Sequence, residues 1–228
     1  MESPAQRSLI DRLAAILVTQ AQATAVPRIL NIGAAHSTLI EEGLIAAGAH
    51  FSADRIDVED CSASGHFVGT CYRGSVENMS ALASGAYDAA FANYVLEHVT
   101  DISAAAREIK RVLKPGAPFV LSTPNPRAPE FIFSRLTPLW FHQLFRGNSQ
   151  VEGERAYETT YAYRSIDDLV ARFSEAGFLA PEIRYFPVTA VYLSRIPFIS
   201  RLSRIYDRCC AALGWKSLLG NVCLVFNS

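Results

Sequence analysis

The chain has 228 residues, of which 50% are hydrophobic and 19% charged, and its formal net charge at pH 7 is −1. This composition is typical of a globular protein that buries a core without disulfides or bound metals. The near-neutral charge argues against a protein that wraps nucleic acid, and no apolar run reaches the roughly 18 residues that span a bilayer.

The cysteines contain no Cys-x-x-Cys pair, and their odd number leaves one over. The five are Cys61, Cys71, Cys209, Cys210 and Cys223. This pattern argues against a disulfide framework and against a zinc site. We therefore expect no bound metal and a reducing, cytoplasmic location.

Residues 1–26 predict an amphipathic helix rather than a secretory signal, because charged residues interrupt the apolar positions. The predicted buried face of this helix carries Leu9, Leu13, Ile16 and Leu17.

From residue 28 onward, predicted strands and helices alternate. RILNI (28–32) predicts a strand, the segment after it a helix that ends at Gly48, and HFSADRIDV (50–58) a second, more polar strand. AYDAAFANYVL (86–96) and APFVLSTP (117–124) predict further strands. Such alternation predicts a parallel sheet with helices on both faces.

The helices between and after these strands carry start signals. DISAAAREIKRVL predicts an amphipathic helix capped by Asp101, and SIDDLVARFSEAGF a capped helix that ends at Gly177. NVCLVF predicts the last strand. Between these regions, residues 125–164 combine prolines with many aromatics, which we interpret as a lid over the active end of the sheet rather than a linker.

The predicted fold is α/β, with a doubly wound, mostly parallel sheet in a single domain, 1–228. Its parts are an N-terminal helix (1–26), a ligand-binding half (27–124), an aromatic lid or acceptor insertion (125–164), and C-terminal helices with the last strand (165–228).

Small residues, Gly33, Ala34 and Ala35, follow the first strand. They allow a ligand to approach the backbone closely, and the helix that follows presents free N–H groups to it. A tight strand-to-helix turn that binds no ligand has the same composition, so this stretch alone does not show whether a ligand binds here.

Further motifs follow this turn in a fixed order: an acidic strand end, YDAAFANYVLEHV and REIKRVLKPGAPFVLSTPN. Together they resemble the class I S-adenosylmethionine (SAM)-dependent methyltransferases over residues 28–125, and less closely through SIDDLVARFSEAGF. The resemblance implies a Rossmann-like fold, SAM as cofactor, and methyl transfer to a small-molecule acceptor rather than to nucleic acid.

The resemblance also implies which residues contact SAM. The small-residue turn and the end of the AYDAAFANYVL strand flank the methionine portion of SAM, and YRGSVENM surrounds its adenine. Asp57 binds the ribose hydroxyls, with Glu59 as the alternative in the neighbouring register. The implied cofactor-binding residues are Asn31, Gly33, Ala34, Ala35, Asp57, Val58, Ser75, Val76, Asn93 and Tyr94.

Three of these residues depart from the family pattern. Asn31 replaces an acid, Ala35 replaces a glycine, and Ser75 replaces the acid beside the adenine. Alanine costs little in the turn if its φ is negative, and Asn and Ser still accept hydrogen bonds. A SAM-binding protein without catalytic activity is therefore the first alternative function.

Methyl transfer mainly requires proximity, orientation and exclusion of water. If the acceptor is a hydroxyl of a sugar, polyketide or lipid-linked precursor, a side chain must accept its proton. The candidates are His98, from the Glu97-His98 pair of the family, His142 in the predicted lid, and Tyr163. Both histidines are also compatible with a purely packing role.

Residues 191–208 carry four arginines among apolar residues, with Asp207 as their single acid. This composition predicts peripheral contact with an anionic membrane, and a membrane-surface interaction module is the second alternative function. A core helix with solvated arginines fits the same residues. The sequence makes no prediction of oligomeric state.

Overall fold

The computed structural model of the chain describes residues 2–20, 26–129, 131–132, 159–192 and 197–228. Within these ranges, seven strands form one sheet. They are β1 (Arg28–Ile32), β2 (Ser52–Asp57), β3 (Val68–Arg73), β4 (Ala89–Asn93), β5 (Pro118–Pro124), β6 (Glu182–Phe186) and β7 (Asn221–Asn227). Their order is β3-β2-β1-β4-β5-β7-β6, with β1 to β5 parallel and β7 antiparallel to both neighbours.

Helices cover both faces of this sheet. The described helices are α1 (Pro4–Gln20), α2 (Leu39–Ala46), α3 (Ile102–Val112), α4 (Ile166–Glu175), α5 (Thr189–Tyr192) and α6 (Pro197–Ala212), with short 3-10 turns at Leu96–His98 and Lys216–Leu218. The predicted caps are present. Asp101 accepts a hydrogen bond from the Ala104 N–H at 2.8 Å, and Ser165 accepts one from the Asp168 N–H at 3.1 Å.

Side chains along each strand alternate between two apolar layers. Leu30 and Ile32 of β1 pack in the layer that α3 and α4 cover, whereas Ile29 packs in the layer that α1 and α2 cover. β5 alternates in the same way, with Phe119 in the first layer and Val120 in the second. The doubly wound α/β architecture is therefore confirmed.

The N-terminal helix packs as predicted. Leu9, Leu13 and Leu17 are fully buried, and Ile16 packs at the edge of the same layer. None of the described helices combines the length and the apolar character needed to cross a bilayer.

The second strand contains the polar residues that the sequence indicates, but Asp54 and Arg55 of β2 are both buried. Close by, Cys61 and Cys71 form a disulfide with their Cα atoms 5.8 Å apart. The cysteine pattern argued against disulfides and did not predict this bond. The two cysteines come together because β3 pairs with β2. Their separation of 10 residues along the chain does not by itself predict this strand pairing.

The carboxyl ends of the parallel strands meet at one edge of the sheet. β1, β2 and β4 end there at Ile32, Asp57 and Asn93. Asn221, the first residue of the antiparallel β7, pairs with Pro124 at the same edge. The strand order reverses between β1 and β4, and parallel sheets bind ligands at the carboxyl side of such a point.

Most of the predicted lid, including His142, lies outside the described residues. At its N-terminal end, Phe131 packs in a small cluster with Ala128 and Val188. At its C-terminal end, Tyr163 is buried in the main core. The lid itself stays a prediction.

Candidate functional site

A cleft of about 240 Å³ opens at the carboxyl edge of the sheet. Its walls come from the turn after β1, the end of β2, the loop after β3 and the loop after β4. The predicted cofactor-binding residues that line it are Gly33, Ala35, Asp57, Val58, Ser75, Val76 and Tyr94. His98, a predicted proton acceptor, lines it as well.

The turn after β1 has a backbone that suits glycine at two positions. Gly33 has a φ of +68°, and a Cβ added there would lie 2.3 Å from a methyl group of Val95. Ala35 has a φ of +42°. The sequence argument made a low cost of alanine conditional on a negative φ at position 35, and this condition is not met. The left-handed conformation costs alanine roughly 1–2 kcal/mol, so the turn is held by other contacts.

Asp57 provides one of those contacts. Its Oδ2 accepts a hydrogen bond from the Ala35 N–H at 2.9 Å, and its Oδ1 accepts one from the Glu59 N–H at 2.9 Å. These two donors fix the carboxylate at the end of β2. Asp57 lines the cleft and Glu59 does not, so the geometry favours the register chosen from the sequence.

The loop after β3 adds Glu77, a cleft residue that the sequence analysis did not single out. Its Oε1 accepts hydrogen bonds from the N–H and hydroxyl of Thr100 and from the Asp101 N–H, at 2.7–3.0 Å. Burial raises the pKa of Glu77, but these hydrogen bonds outweigh it and hold the pKa below the usual value. The resemblance assigns the adenine contacts of this segment to Ser75 and Val76 and gives no role to Glu77.

Tyr94 closes the other side of the cleft in a left-handed conformation, with a φ of +55°. Its hydroxyl accepts a hydrogen bond from Asn221 Nδ2 at 2.8 Å and shares another with Ser3 Oγ at 2.9 Å. Residues far apart in the sequence therefore fix this wall.

Three predicted cofactor residues do not line the cleft. Asn31 is buried, Ala34 is buried in the turn, and the Oδ1 of Asn93 accepts a hydrogen bond from Ser122 Oγ at 2.7 Å. Tyr163 lies in the core instead of the cleft wall, with its hydroxyl 2.6 Å from Thr123 Oγ1. Contact of these four residues with a ligand stays a prediction.

A charged group lies beneath the turn. Arg55 is completely buried, and its Nε lies 3.3 Å from Glu41 Oε1. Its guanidinium donates to the backbone oxygens of Ala34, Ser37 and Cys61. Asn31 Nδ2 donates to the same Glu41 oxygen at 2.5 Å. Burial raises the pKa of Glu41 although Asn31 and Arg55 oppose the shift.

A second buried carboxyl lies behind His98. Glu97 accepts a hydrogen bond from Thr123 Oγ1 at 3.3 Å, and burial raises its pKa to about 8. The Glu97 backbone oxygen accepts hydrogen bonds from the N–H groups of Thr160 and Tyr161. The neutral carboxyl therefore packs where the end of the predicted lid region joins the cleft.

The family described as "Methyltransferase domain" matches residues 32–121, from the glycine turn through most of β5. This match supports a class I SAM-dependent methyltransferase. Such methyltransferases use SAM as the methyl donor, so the cleft is the candidate SAM site of this chain.

Curated relatives of the chain include proteins named demethylmenaquinone methyltransferase from Staphylococcus aureus strains JH9 and Newman. Each is 33% identical over 116 residues, which cover 47% of this chain and 47% of the relative. The chain thus spans about half the length of the curated relatives it matches.

Solved structures show the same fold across most of the chain. A SAM-dependent methyltransferase from Mesorhizobium loti is 16% identical, with a TM-score of 0.57, and the match covers 96% of this chain and 100% of that one. One from Archaeoglobus fulgidus is 13% identical, with a TM-score of 0.58 and coverage of 96% and 94%. The [4+2]-cyclase SpnF is 18% identical, with a TM-score of 0.53 and coverage of 96% and 81%.

Proposed function

We propose that this protein transfers a methyl group from SAM to a small-molecule acceptor in the cleft at the carboxyl edge of the sheet. The observation that carries the proposal is the pairing of the Gly33 turn with the oriented Asp57 carboxylate in one cleft wall. Both lie inside the stretch that matches the methyltransferase family.

The residues present fit SAM. Glycine at position 33 makes room for the side chain of Val95, so the turn after β1 and the loop after β4 pack closely together in the cleft wall. Asp57 presents a carboxylate to the ribose hydroxyls, and a charge-assisted hydrogen bond of this kind contributes about 1.5–3 kcal/mol. The apolar side chains of Val58 and Val76 would flank the adenine.

Bound SAM supplies an electrophilic methyl group on a sulfonium. The chain contributes position and the exclusion of water, and for a hydroxyl acceptor it also takes up a proton. Of the candidates for that role, His98 lines the cleft and Tyr163 is buried in the core, whereas His142 lies outside the described residues. We therefore assign the proton to His98, with a hydroxyl of a sugar, polyketide or lipid-linked precursor as acceptor.

The curated relatives are named for methylating demethylmenaquinone, but about half of each relative is unmatched. We therefore do not adopt that acceptor. We also keep the single domain as a proposal. The Cys61–Cys71 disulfide removes the cysteine argument for a reducing compartment, so the proposed cytoplasmic location rests on the family resemblance alone.

A SAM-binding protein without methyl transfer is the second candidate. Asn31, Ala35 and Ser75 all depart from the family pattern, and a neighbour with this fold is named as a cyclase. Fold alone does not determine the reaction.

Calorimetric titration with SAM and with S-adenosylhomocysteine tests the cofactor site. We expect binding of both, with Asp57→Ala weakening SAM affinity by roughly 10- to 100-fold because at least one charge-assisted hydrogen bond is lost. Glu59→Ala is the matched control and should bind as the unmodified protein does. Absence of binding to either ligand contradicts both candidate functions, whereas a selective loss in Glu59→Ala shows that the ribose register is Glu59.

Release of S-adenosylhomocysteine in the presence of hydroxyl-bearing acceptors separates the two candidates. We expect turnover, and we expect His98→Gln to lower kcat by about 10²-fold or more while SAM affinity stays constant. Full activity of His98→Gln rules out its role as base. SAM binding without turnover on any acceptor favours the non-catalytic candidate.

A further inference from the structure

The exposed face of α6 carries a row of arginines beside a row of apolar side chains. Arg201, Arg204 and Arg208 are spaced by three and four residues, so they lie along one side of the helix, and all three are exposed. Leu202 and Ile205 lie in the neighbouring row and are 52% and 54% exposed.

The opposite face of α6 packs against the protein. Ser203, Asp207 and Cys210 are buried, and Asp207 Oδ2 accepts a hydrogen bond from the Ala190 N–H of α5 at 2.8 Å. Asp207 is the single acidic residue in the sequence of α6. Because it points inward, the charge on the described exposed face of this helix is entirely positive.

The apolar surface continues beyond the end of the helix. Leu213 is 60% exposed and Trp215 is 51% exposed. Large exposed apolar residues that cluster among cationic side chains indicate an interaction site more often than they indicate an ordinary solvated face.

The connection that contains α6 also lies at a defined place in the fold. It starts at the end of β6 and returns at the start of β7, and Phe186 and Asn221 pair at this point of the sheet. Asn221 also pairs with Pro124, at the carboxyl end of β5. The connection therefore leaves and rejoins the sheet at the edge that holds the SAM cleft.

We propose that α6 lies on the surface of an anionic lipid bilayer. The arginine stems would lie along the interface with their guanidiniums at lipid phosphates, while Leu202, Ile205, Leu213 and Trp215 enter the acyl boundary. An acidic protein surface would match the arginines but not the apolar row, which is why the bilayer is the better partner. This inference does not depend on the proposed methyl transfer.

Vesicle sedimentation tests the inference on the full chain. We expect binding to phosphatidylcholine vesicles that contain phosphatidylglycerol, weaker binding at high salt, and little binding to phosphatidylcholine alone. The variant Arg201→Gln/Arg204→Gln/Arg208→Gln should reduce the partition coefficient roughly a hundredfold, since each arginine near an anionic surface contributes about a fivefold factor.

A charge-matched control separates the effect of the α6 arginines on vesicle binding from the effect of the protein's net charge. Arg7, Arg107 and Arg164 are exposed on other parts of the molecule. The variant Arg7→Gln/Arg107→Gln/Arg164→Gln should bind vesicles as the unmodified protein does. Equal loss in both triple variants overturns the proposal, because binding would then follow overall charge.

A second measurement tests the apolar row. The chain has two tryptophans, so a Trp140→Phe background leaves Trp215 as the single reporter. Its fluorescence should shift to the blue on anionic vesicles, and Leu202→Ser/Ile205→Ser should weaken binding about tenfold or more. Three outcomes contradict the proposal: an unchanged spectrum, full binding of the serine variant, and binding to soluble polyglutamate but not to vesicles. The last of these indicates an acidic protein partner.

Discussion

The turn after β1 has two layers that differ in how closely they follow the family pattern. The cleft-facing layer consists of Gly33, Ala35 and Asp57, and it keeps the family pattern at Gly33 and Asp57 but departs from it at Ala35. The buried layer consists of Asn31, Glu41 and Arg55; it departs from the pattern at Asn31, and Glu41 and Arg55 lie outside the motifs.

In the buried layer, a changed motif residue is bonded to residues from outside the motif. Where the family has an acid, Asn31 donates to the carboxylate of Glu41, which comes from α2. Arg55 then joins that carboxylate to the backbone oxygens of the turn. Position 31 carries no charge, and the charge pair of Glu41 and Arg55 lies directly below the turn.

The largest effect is expected in the buried layer. Arg55→Met leaves the Glu41 carboxylate buried without its ionic partner, which should lower the free energy of unfolding by about 3–5 kcal/mol. Chemical denaturation at several pH values measures this. If Arg55→Met is as stable as the unmodified protein, the buried layer does not hold the turn.

The pH dependence of this variant has a definite sign. Without Arg55, the Glu41 pKa should rise further above its usual value, so the folded state keeps a proton that the unfolded state releases. The loss in free energy of unfolding of Arg55→Met, relative to the unmodified protein, should therefore be smallest below about pH 4.3, the ordinary glutamate pKa. It should grow as the pH rises from there through the folded-state pKa of Glu41. Adding Glu41→Gln should remove this pH dependence and restore part of the stability.

A smaller effect is expected in the cleft-facing layer at Gly33. Gly33→Ala combines a left-handed φ with a clash against Val95, and together these should cost about 2–4 kcal/mol. Gly85→Ala is the matched control, because Gly85 has a φ of +63° and nothing within 4 Å of an added Cβ. Thermal denaturation should show a smaller loss for Gly85→Ala, and equal losses would mean that Val95 gives way.

The smallest effect is expected at Ala35. Ala35→Gly removes the strain of a left-handed alanine, but glycine loses more backbone freedom on folding. The net gain in stability should be about 0.5–1 kcal/mol, measured by urea denaturation. A loss of stability would show that the Ala35 methyl group contributes packing that outweighs the strain.

Most of the elements were readable from the sequence because they carry a local signal, but β3 and β6 were not among the strands predicted from such signals. Asp101 and Ser165 are capping residues, Gly48 ends a helix, and the apolar alternation marks the strands. Asp57 could be placed in the site because it ends a strand that feeds the carboxyl edge.

The parts that could not be predicted depend on contacts between distant residues. Arg55 in a strand looks like a surface residue until its carbonyl partners are known, and the Cys61–Cys71 bond follows from strand pairing. Glu77 enters the cleft because Thr100 and Asp101 hold it there. The placement of His142 remains a prediction.

Tyr94 links the order of folding to ligand binding. Its hydroxyl bonds to Ser3 and to Asn221, residues 91 and 127 positions away along the chain. A ribosome therefore releases most of the cleft-forming sequence well before Asn221 emerges to support this wall. The hydrogen bond from Asn221 to Tyr94 forms only after β7 has been synthesised, and Tyr94 lines the cleft, so we expect ligand binding there to depend on β7.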